Sequence, residues 1–197
     1  MKKVKKKSEK KAGNKSQVKS RKRVEEHGEV FTAQREVKAM CSLVTSEIRR
    51  EASTFFEPAC GNGNFLIEIL SRKLMSVRKK THGDEHEYEL KSLIALGSLY
   101  GIDIMADNVR QCRSRLYELW NHRYMLACAH CSDRIRKMAR NILEMNIICG
   151  NSLTFSCVDE NQQETAEPIV FYEWKFNDDD GMISFTGISN SLEQMVN

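Results

Sequence analysis

Two glycines and an acid stand at the spacing of a nucleotide-binding turn. A short apolar run, Phe55 and Phe56, ends in Glu57, and a turn with Gly61 and Gly63 precedes a helical apolar pattern. Glycines let the backbone approach a ligand closely because no Cβ intervenes, and the N–H groups at the start of the next helix offer donors. The pattern predicts a strand, a loop and a helix that cradle a nucleotide-like ligand.

A second acid, Asp103, closes the next predicted strand, at residues 98–104. A carboxylate in this position can accept hydrogen bonds from both ribose hydroxyls of a nucleoside held over the glycine loop. The alternative is that Asp103 caps the following helix, a role that Asp107 could also fill. A charged stretch at residues 78–89, predicted as a surface insertion, separates the two pieces by more than the ~20 residues of a compact unit. The spacing therefore does not establish that they meet.

Charge divides the chain unevenly. Residues 1–23 hold twelve Lys or Arg and one acid, so a tail of +11 precedes a body of −7. We expect residues 1–23 to be a disordered basic tail that aids solubility or attracts phosphates, and residues 24–197 to be one folded domain. No apolar run approaches the ~20 residues of a membrane span, and no signal-peptide pattern follows the basic start. We therefore expect a cytoplasmic protein with no membrane contact.

Seven cysteines, an odd number, are scattered through a chain without an export signal. We expect reduced thiols that act as small apolar residues, with no disulfide framework. Cys128 and Cys131 have the two-residue gap of half a zinc site, but no second pair completes it. We therefore predict no metal site, and the alternative is a metal ion bound by Cys128 and Cys131.

Periodicity predicts the remaining elements. Thr32 is predicted to cap a first amphipathic helix. Further elements are predicted as a helix ending at Gly97, helices at 107–124 and 133–145, strands at 146–153 and 168–176, and a hairpin partner at 182–188. This order favours the α/β class, with a largely parallel sheet and a C-terminal hairpin.

The ordered motifs from about His27 to Leu153 resemble the S-adenosylmethionine-dependent adenine-N6 DNA methyltransferases of restriction-modification systems. FFEPACGNGNF resembles the family's glycine loop, YGIDI its acidic motif, IICGNSL its third motif, and HGEVFT its leading segment, where Ala33 replaces the usual proline. The resemblance implies a Rossmann-like methyltransferase fold, S-adenosylmethionine as cofactor and DNA as partner. The residues it assigns to the cofactor are Phe31, Thr32, Glu57, Pro58, Ala59, Cys60, Gly61, Gly63, Asp103 and Asn151.

Within that set, the resemblance places Asp103 on the ribose and Asn151 on the adenine amino group. The family normally has an aspartate at the position of Asn151. A carboxamide oxygen also accepts a hydrogen bond, although without charge it holds the donor more weakly.

The sequence departs from the family at the motif that holds the target amine, which combines an acid or amide with two adjacent prolines and an aromatic. The chain's two prolines are not adjacent, so the resemblance is to a short form with a truncated sheet. At the corresponding strand we predict Glu173 as the catalytic acid and Trp174 and Phe176 as base-stacking residues. The alternative is that these strand aromatics are core residues.

Three functions stay open at this point. The first is a small DNA adenine methyltransferase, acting alone or completed by a partner methyltransferase, a restriction subunit or a second copy. The second is a non-catalytic subunit that binds S-adenosylmethionine or DNA beside a separate modification enzyme, and the third is a Cys/His metal-dependent nucleic-acid binder. We predict a methyltransferase-family protein, and little or no methyl transfer by the isolated chain because the rigid Pro-Pro turn is missing.

Overall fold

The computed structural model of the chain describes residues 19–20, 23–25, 30–159 and 161–192. The chain divides into two compact units, residues 1–31 and 32–197. In the first unit, residues 23–25 are helical, and Lys19 Nζ lies 5.8 Å from the centroid of the Phe31 ring. Most of the predicted tail at 1–23 lies outside the described residues, so its disorder and its boundary stay predictions.

Within the described residues, the second unit has six helices and seven strands. The helices are α1 (Gln34–Leu43), α2 (Thr45–Ile48), α3 (Asn64–Lys80), α4 (Glu85–Gly97), α5 (Ala106–Ala127) and α6 (Asp133–Asn146). The strands are β1 (Phe55–Glu57), β2 (Leu99–Asp103), β3 (Ile147–Asn151), β4 (Ser156–Val158), β5 (Glu164–Pro168), β6 (Val170–Asp179) and β7 (Met182–Ser191). No helix in this described part is long and apolar enough to cross a membrane.

Five strands form one sheet in the order β1-β2-β3-β4-β5. The pairs β1–β2 and β2–β3 are parallel, and the short strands β4 and β5 continue the sheet in antiparallel fashion. Parallel neighbours need a crossover, which α3 and α4 supply between β1 and β2 and which α5 and α6 supply between β2 and β3. The mixed α/β class and the parallel arrangement of the principal strands are confirmed, whereas β4 and β5 were not predicted.

The buried side chains form two clusters on opposite faces of the sheet. Residues of all six helices form the larger cluster together with Leu99 and Ile147. In the smaller cluster, Tyr100 and Ile102 pack with Phe171 and the residues around it. Successive side chains of a strand point to opposite faces, so β2 contributes to both clusters. The sequence of β2 is therefore almost continuously apolar until Asp103.

The strands β6 and β7 pair only with each other, as the predicted C-terminal hairpin. Asp180 and Gly181 have φ values of 50° and 78°, which the tight turn between the strands requires. At the turn end of the hairpin, His86 Nε2 at the start of α4 lies within hydrogen-bond distance, 2.9 Å, of both carboxylate oxygens of Asp178. The hairpin is thus held against the helices, and it lies outside the five-stranded sheet.

Thr32 does not cap the first helix, contrary to prediction. The helix α1 begins at Gln34 and its N-cap is Ala33, which has no side-chain acceptor. The Ala33 N–H instead donates to Glu36 Oε2 at 3.2 Å. The glutamate therefore satisfies the exposed end of this helix from within its first turn.

The polar stretch at residues 78–89 is not a surface insertion, which corrects a second prediction. The helix α3 continues to Lys80 and α4 begins at Glu85, so only residues 81–84 connect them. The Asp84 side chain caps α4 by accepting from Glu87 N at 2.8 Å. Arg78, Lys79 and Lys80 at the end of α3 are exposed while Tyr88 of α4 is buried, and the polar composition of this stretch concealed its helical periodicity.

Candidate functional site

Backbone hydrogen bonds, one to β2 and one within the loop, fix the glycine loop at residues 58–63. Cys60 N donates to Ile102 O of β2 at 2.8 Å, and Gly63 N donates to Cys60 O at 2.8 Å. Gly61 and Gly63 have φ values of 52° and 86°, in the left-handed region that side chains disfavour. These bonds place the loop directly beyond the carboxyl ends of β1 and β2, where open parallel sheets bind ligands.

Asp103 joins the two pieces that the sequence left unconnected. Its Oδ2 accepts from Gly61 N at 2.8 Å, while Oδ1 accepts from Met105 N at 2.9 Å and from Asn108 Nδ2 at 3.1 Å. Asp103 therefore contacts both the glycine loop and the residues at the start of α5, whose N-cap is Met105, and its role toward a ribose stays a prediction. A carboxylate has about four acceptor positions, so roughly one stays available beside the loop.

Gly63 is required by packing as well as by its backbone angle. A Cβ at this position would lie 2.6 Å from Cys112 Sγ of α5, a contact that real side chains do not make. The Cys60 side chain is also buried, and its hydrogen bond with Cys112, together with burial, raises the pKa of its thiol. The Cys60 contribution to the loop surface is therefore its backbone rather than its thiol.

Glu57 ends β1 at the mouth of the loop and is partly buried. Burial raises the pKa of its carboxyl, and a hydrogen bond from the Ala59 backbone opposes this effect. Pro58 and Ala59 are exposed at the loop surface. The structure thus brings Glu57 to Gly63 together with Asp103 in one place, as the resemblance implied.

Arg115, Asn62 of the loop and Asn64 at the start of α3 also belong to this site, and the sequence analysis did not identify them. Arg115 Nη1 donates to Asn62 O at 2.5 Å and to Asn64 Oδ1 at 3.1 Å. Asn64 Nδ2 donates to Thr32 O at 3.2 Å, so the Thr32 backbone borders the loop. The Asn62 Oδ1 atom is buried, and no donor among the described residues reaches it. Burial lowers the pKa of Arg115.

Asn151 lies at the end of β3, but its side chain is engaged in the turn that follows. Its Oδ1 accepts from Leu153 N at 2.9 Å, and its Nδ2 donates to Glu164 Oε1 at 2.6 Å. Both ends of the carboxamide therefore have protein partners, and an adenine amino group would share the oxygen with the Leu153 N–H.

The structure does not bring Trp174 and Phe176 to the loop. Trp174 Nε1 donates to Asn146 Oδ1 at 2.8 Å, and a Cβ on Gly97 would lie 3.1 Å from the Phe176 ring. Gly97 precedes β2 and Asn146 precedes β3, whereas Asp103 ends β2. At ~3.3 Å per residue, β2 alone spans about 13 Å from Leu99 to Asp103. The core alternative for these aromatics matches their placement, and the base-stacking prediction receives no support from it.

Glu173 lies on the same hairpin, exposed and paired in register with Ile188. Its carboxylate adds to the effect of burial that raises the pKa of Tyr100 to about 12. Within the described residues, no hydrogen bond or ion pair joins Glu173 to the glycine loop or to Asp103. Its predicted catalytic role therefore has no geometric support.

No cluster of three or more His, Cys, Asp or Glu suited to a metal occurs in the described part of the chain. Cys128 is buried, and burial raises the pKa of its thiol to about 12. Its Sγ donates to Glu85 O at 3.7 Å, while Cys131 Sγ donates to Cys128 O at 3.6 Å. These thiols are engaged with backbone carbonyls.

Residues 32–171 match the family model described as MmeI, DNA-methyltransferase domain. The matched region includes the glycine loop, Asp103 and Asn151, and it covers more than half of the chain. No curated protein and no solved structure matched the chain. The matched length and the loop geometry agree, and the chain therefore belongs to the MmeI DNA-methyltransferase domain family of restriction-modification methyltransferases.

Proposed function

We propose that this domain binds S-adenosylmethionine and serves the methylation of adenine N6 in DNA. The observation that carries the proposal is the hydrogen bond from Gly61 N to Asp103 Oδ2, at 2.8 Å. It joins the glycine loop to the acidic strand end at the carboxyl edge of a parallel sheet, where a nucleoside would lie over the loop with its ribose near the acid. Membership in a DNA-methyltransferase family supports the same cofactor.

The groups at the site fit S-adenosylmethionine chemically. The buried Asn62 Oδ1 lacks a donor, and the cofactor's amino-acid end carries an ammonium. The residues of the second unit that we propose to hold the cofactor are Thr32, Glu57, Pro58, Ala59, Cys60, Gly61, Gly63, Asp103 and Asn151. Phe31 belongs to the first unit, and its contact with the cofactor stays a prediction from the resemblance. When bound, the cofactor supplies an electrophilic methyl group.

Titration calorimetry of S-adenosylmethionine into the purified full chain tests the proposal. Asp103→Ala removes the charged acceptor of a ribose hydroxyl and should weaken binding roughly ten- to a hundredfold. Asp103→Asn keeps one acceptor oxygen and should lose less. Urea unfolding of each variant controls for the loss of the Gly61 anchor. The cofactor proposal fails if the wild-type chain shows no binding at millimolar cofactor.

Methyl transfer itself needs groups that the described site does not bring together. An exocyclic adenine amine is a poor nucleophile, so acceptors must reshape it and a pocket must exclude water. Glu173 and Trp174 are placed on the hairpin, which favours the alternative of a non-catalytic cofactor- or DNA-binding subunit over catalysis by this chain alone. We propose that a partner methyltransferase, a restriction subunit or a second copy supplies the missing groups.

The same preparations decide between these functions through transfer of a labelled methyl group to DNA. We expect little or no transfer by the single chain, and transfer once its natural partner is added. Robust transfer by the single chain that Glu173→Ala abolishes would instead make Glu173 catalytic.

A further inference from the structure

Arg115 has unused hydrogen-bonding capacity beside the glycine loop. Its Nη1 is engaged by Asn62 O and Asn64 Oδ1, whereas its Nε and Nη2 atoms make no hydrogen bond within the described residues. The side chain is only partly buried, so these donors are not sealed inside the core. A guanidinium presents its donors in a planar fork that matches a carboxylate.

Asn62 offers the complementary group from within the loop itself. Its backbone oxygen accepts from Arg115 Nη1, while its side-chain Oδ1 is buried without a donor in the part of the chain that the structure describes. A buried acceptor without a partner is unfavourable, and a ligand that brings an N–H donor relieves the cost. Asn62 therefore binds Arg115, which has donors to spare, through its backbone oxygen, and it carries an acceptor without a donor, Oδ1, on its side chain.

We propose that Arg115 and Asn62 recognise the zwitterionic amino-acid end of the ligand, Arg115 through the carboxylate and Asn62 Oδ1 through the ammonium. This inference rests on the proposed cofactor site and assigns the groups that read one end of that ligand. Asp103 contacts the loop at a different residue, Gly61, and serves the ribose end. The two ends of the ligand are then read by separate residues.

Two adenosine thioethers that differ in this end provide the test. S-Adenosylhomocysteine carries the amino-acid group, and 5′-methylthioadenosine lacks it. Calorimetry on the full chain measures both affinities, and the readout is their ratio. Loss of the Arg115 bonds to the loop affects both ligands alike and cancels in the ratio, whereas loss of a contact with the amino-acid group does not.

We expect Arg115→Ala and Asn62→Leu each to reduce the preference for S-adenosylhomocysteine over 5′-methylthioadenosine by about ten- to a hundredfold. Arg115→Lys keeps the charge without the fork and should recover part of the preference. Lys137→Ala, which removes one charge from an exposed position on α6, is the matched control and should leave the ratio unchanged.

An unchanged ratio in both Arg115→Ala and Asn62→Leu would overturn the inference and leave Arg115 as a strut of the loop. Because Asn62→Leu leaves the Arg115 bonds to backbone and Asn64 in place, it tests the inference even if Arg115→Ala fails to fold. Failure of the wild-type chain to bind either thioether would instead overturn the cofactor proposal and this inference with it.

Discussion

The variant Gly63→Ala tests whether glycine is needed at this position for packing against Cys112 or only for close approach of a ligand to the loop. The new Cβ would lie 2.6 Å from Cys112 Sγ, at a residue whose φ is 86°. Left-handed backbone costs a non-glycine residue about 1–2 kcal/mol, and overpacking a core contact costs about 1–3 kcal/mol. We therefore expect Gly63→Ala to lower the free energy of unfolding by about 2–5 kcal/mol.

Gly83→Ala is a matched control, because its φ is 95° and an added Cβ meets nothing within 4 Å. It should cost only the backbone component, about 1–2 kcal/mol. Urea unfolding followed by circular dichroism gives both values, without ligand. Adding Cys112→Ala should recover about 1–3 kcal/mol in the Gly63→Ala background, measured as the coupling in a double-mutant cycle. Equal destabilisation by the two glycine variants, with no coupling to Cys112, would refute the packing argument.

Two further predictions concern buried polar groups. Lys73 Nζ donates to the carbonyl oxygens of residues 50, 51 and 53 at 2.9, 2.9 and 2.7 Å, so Lys73→Met should lower the unfolding free energy by about 2–4 kcal/mol in urea titrations at pH 7. Burial lowers the pKa of Lys73 from 10.5 to about 8 in the folded chain, so between these two pH values the unfolded chain binds more protons than the folded chain. The unfolding free energy of the wild type should therefore rise relative to that of Lys73→Met as the pH increases from about 8 to 10.5. A difference in unfolding free energy that does not change with pH would contradict this. Trp174→Phe keeps an aromatic ring but removes the donor to Asn146 Oδ1. It should lower the unfolding free energy by about 1–3 kcal/mol in the same assay and leave cofactor affinity unchanged. Unchanged stability with weakened cofactor binding would instead support a ligand-binding role for Trp174.

Local patterns were sufficient for the strand, loop and helix at the centre of the fold. The apolar run before Glu57, the two glycines and the helical periodicity after them are signals within one segment, and β1, the loop and α3 follow them. The meeting of Asp103 with Gly61 joins residues 42 positions apart, and no spacing rule predicted it. The parallel register of β1 and β2, with Glu57 beside Gly101, is what brings the two strand ends together.

Arg115 illustrates what a single sequence does not reveal about the site. Its bonds to Asn62 and Asn64 span more than 50 positions, and on α5 it is one of several basic residues with no distinguishing pattern. Only the packing of α5 against α3 brings Arg115, rather than another basic residue of α5, to the glycine loop. The same packing gives Gly63 a second reason to be glycine, since the predicted role in ligand approach took no account of Cys112.

The hairpin aromatics show why position along a strand matters more than order in the chain. The family resemblance places the target-amine motif at the carboxyl end of the fourth strand, and Trp174 and Phe176 would lie there if their strand extended the parallel sheet. Instead β6 pairs only with β7, and its aromatics contact Gly97 and Asn146, which lie before β2 and β3 begin. Asn146 also donates to Gly97 O and Leu99 O, so Trp174 completes a buried network at the amino edge. Alternating aromatic residues identify a strand with one buried face, but they do not specify which end of the sheet that face covers.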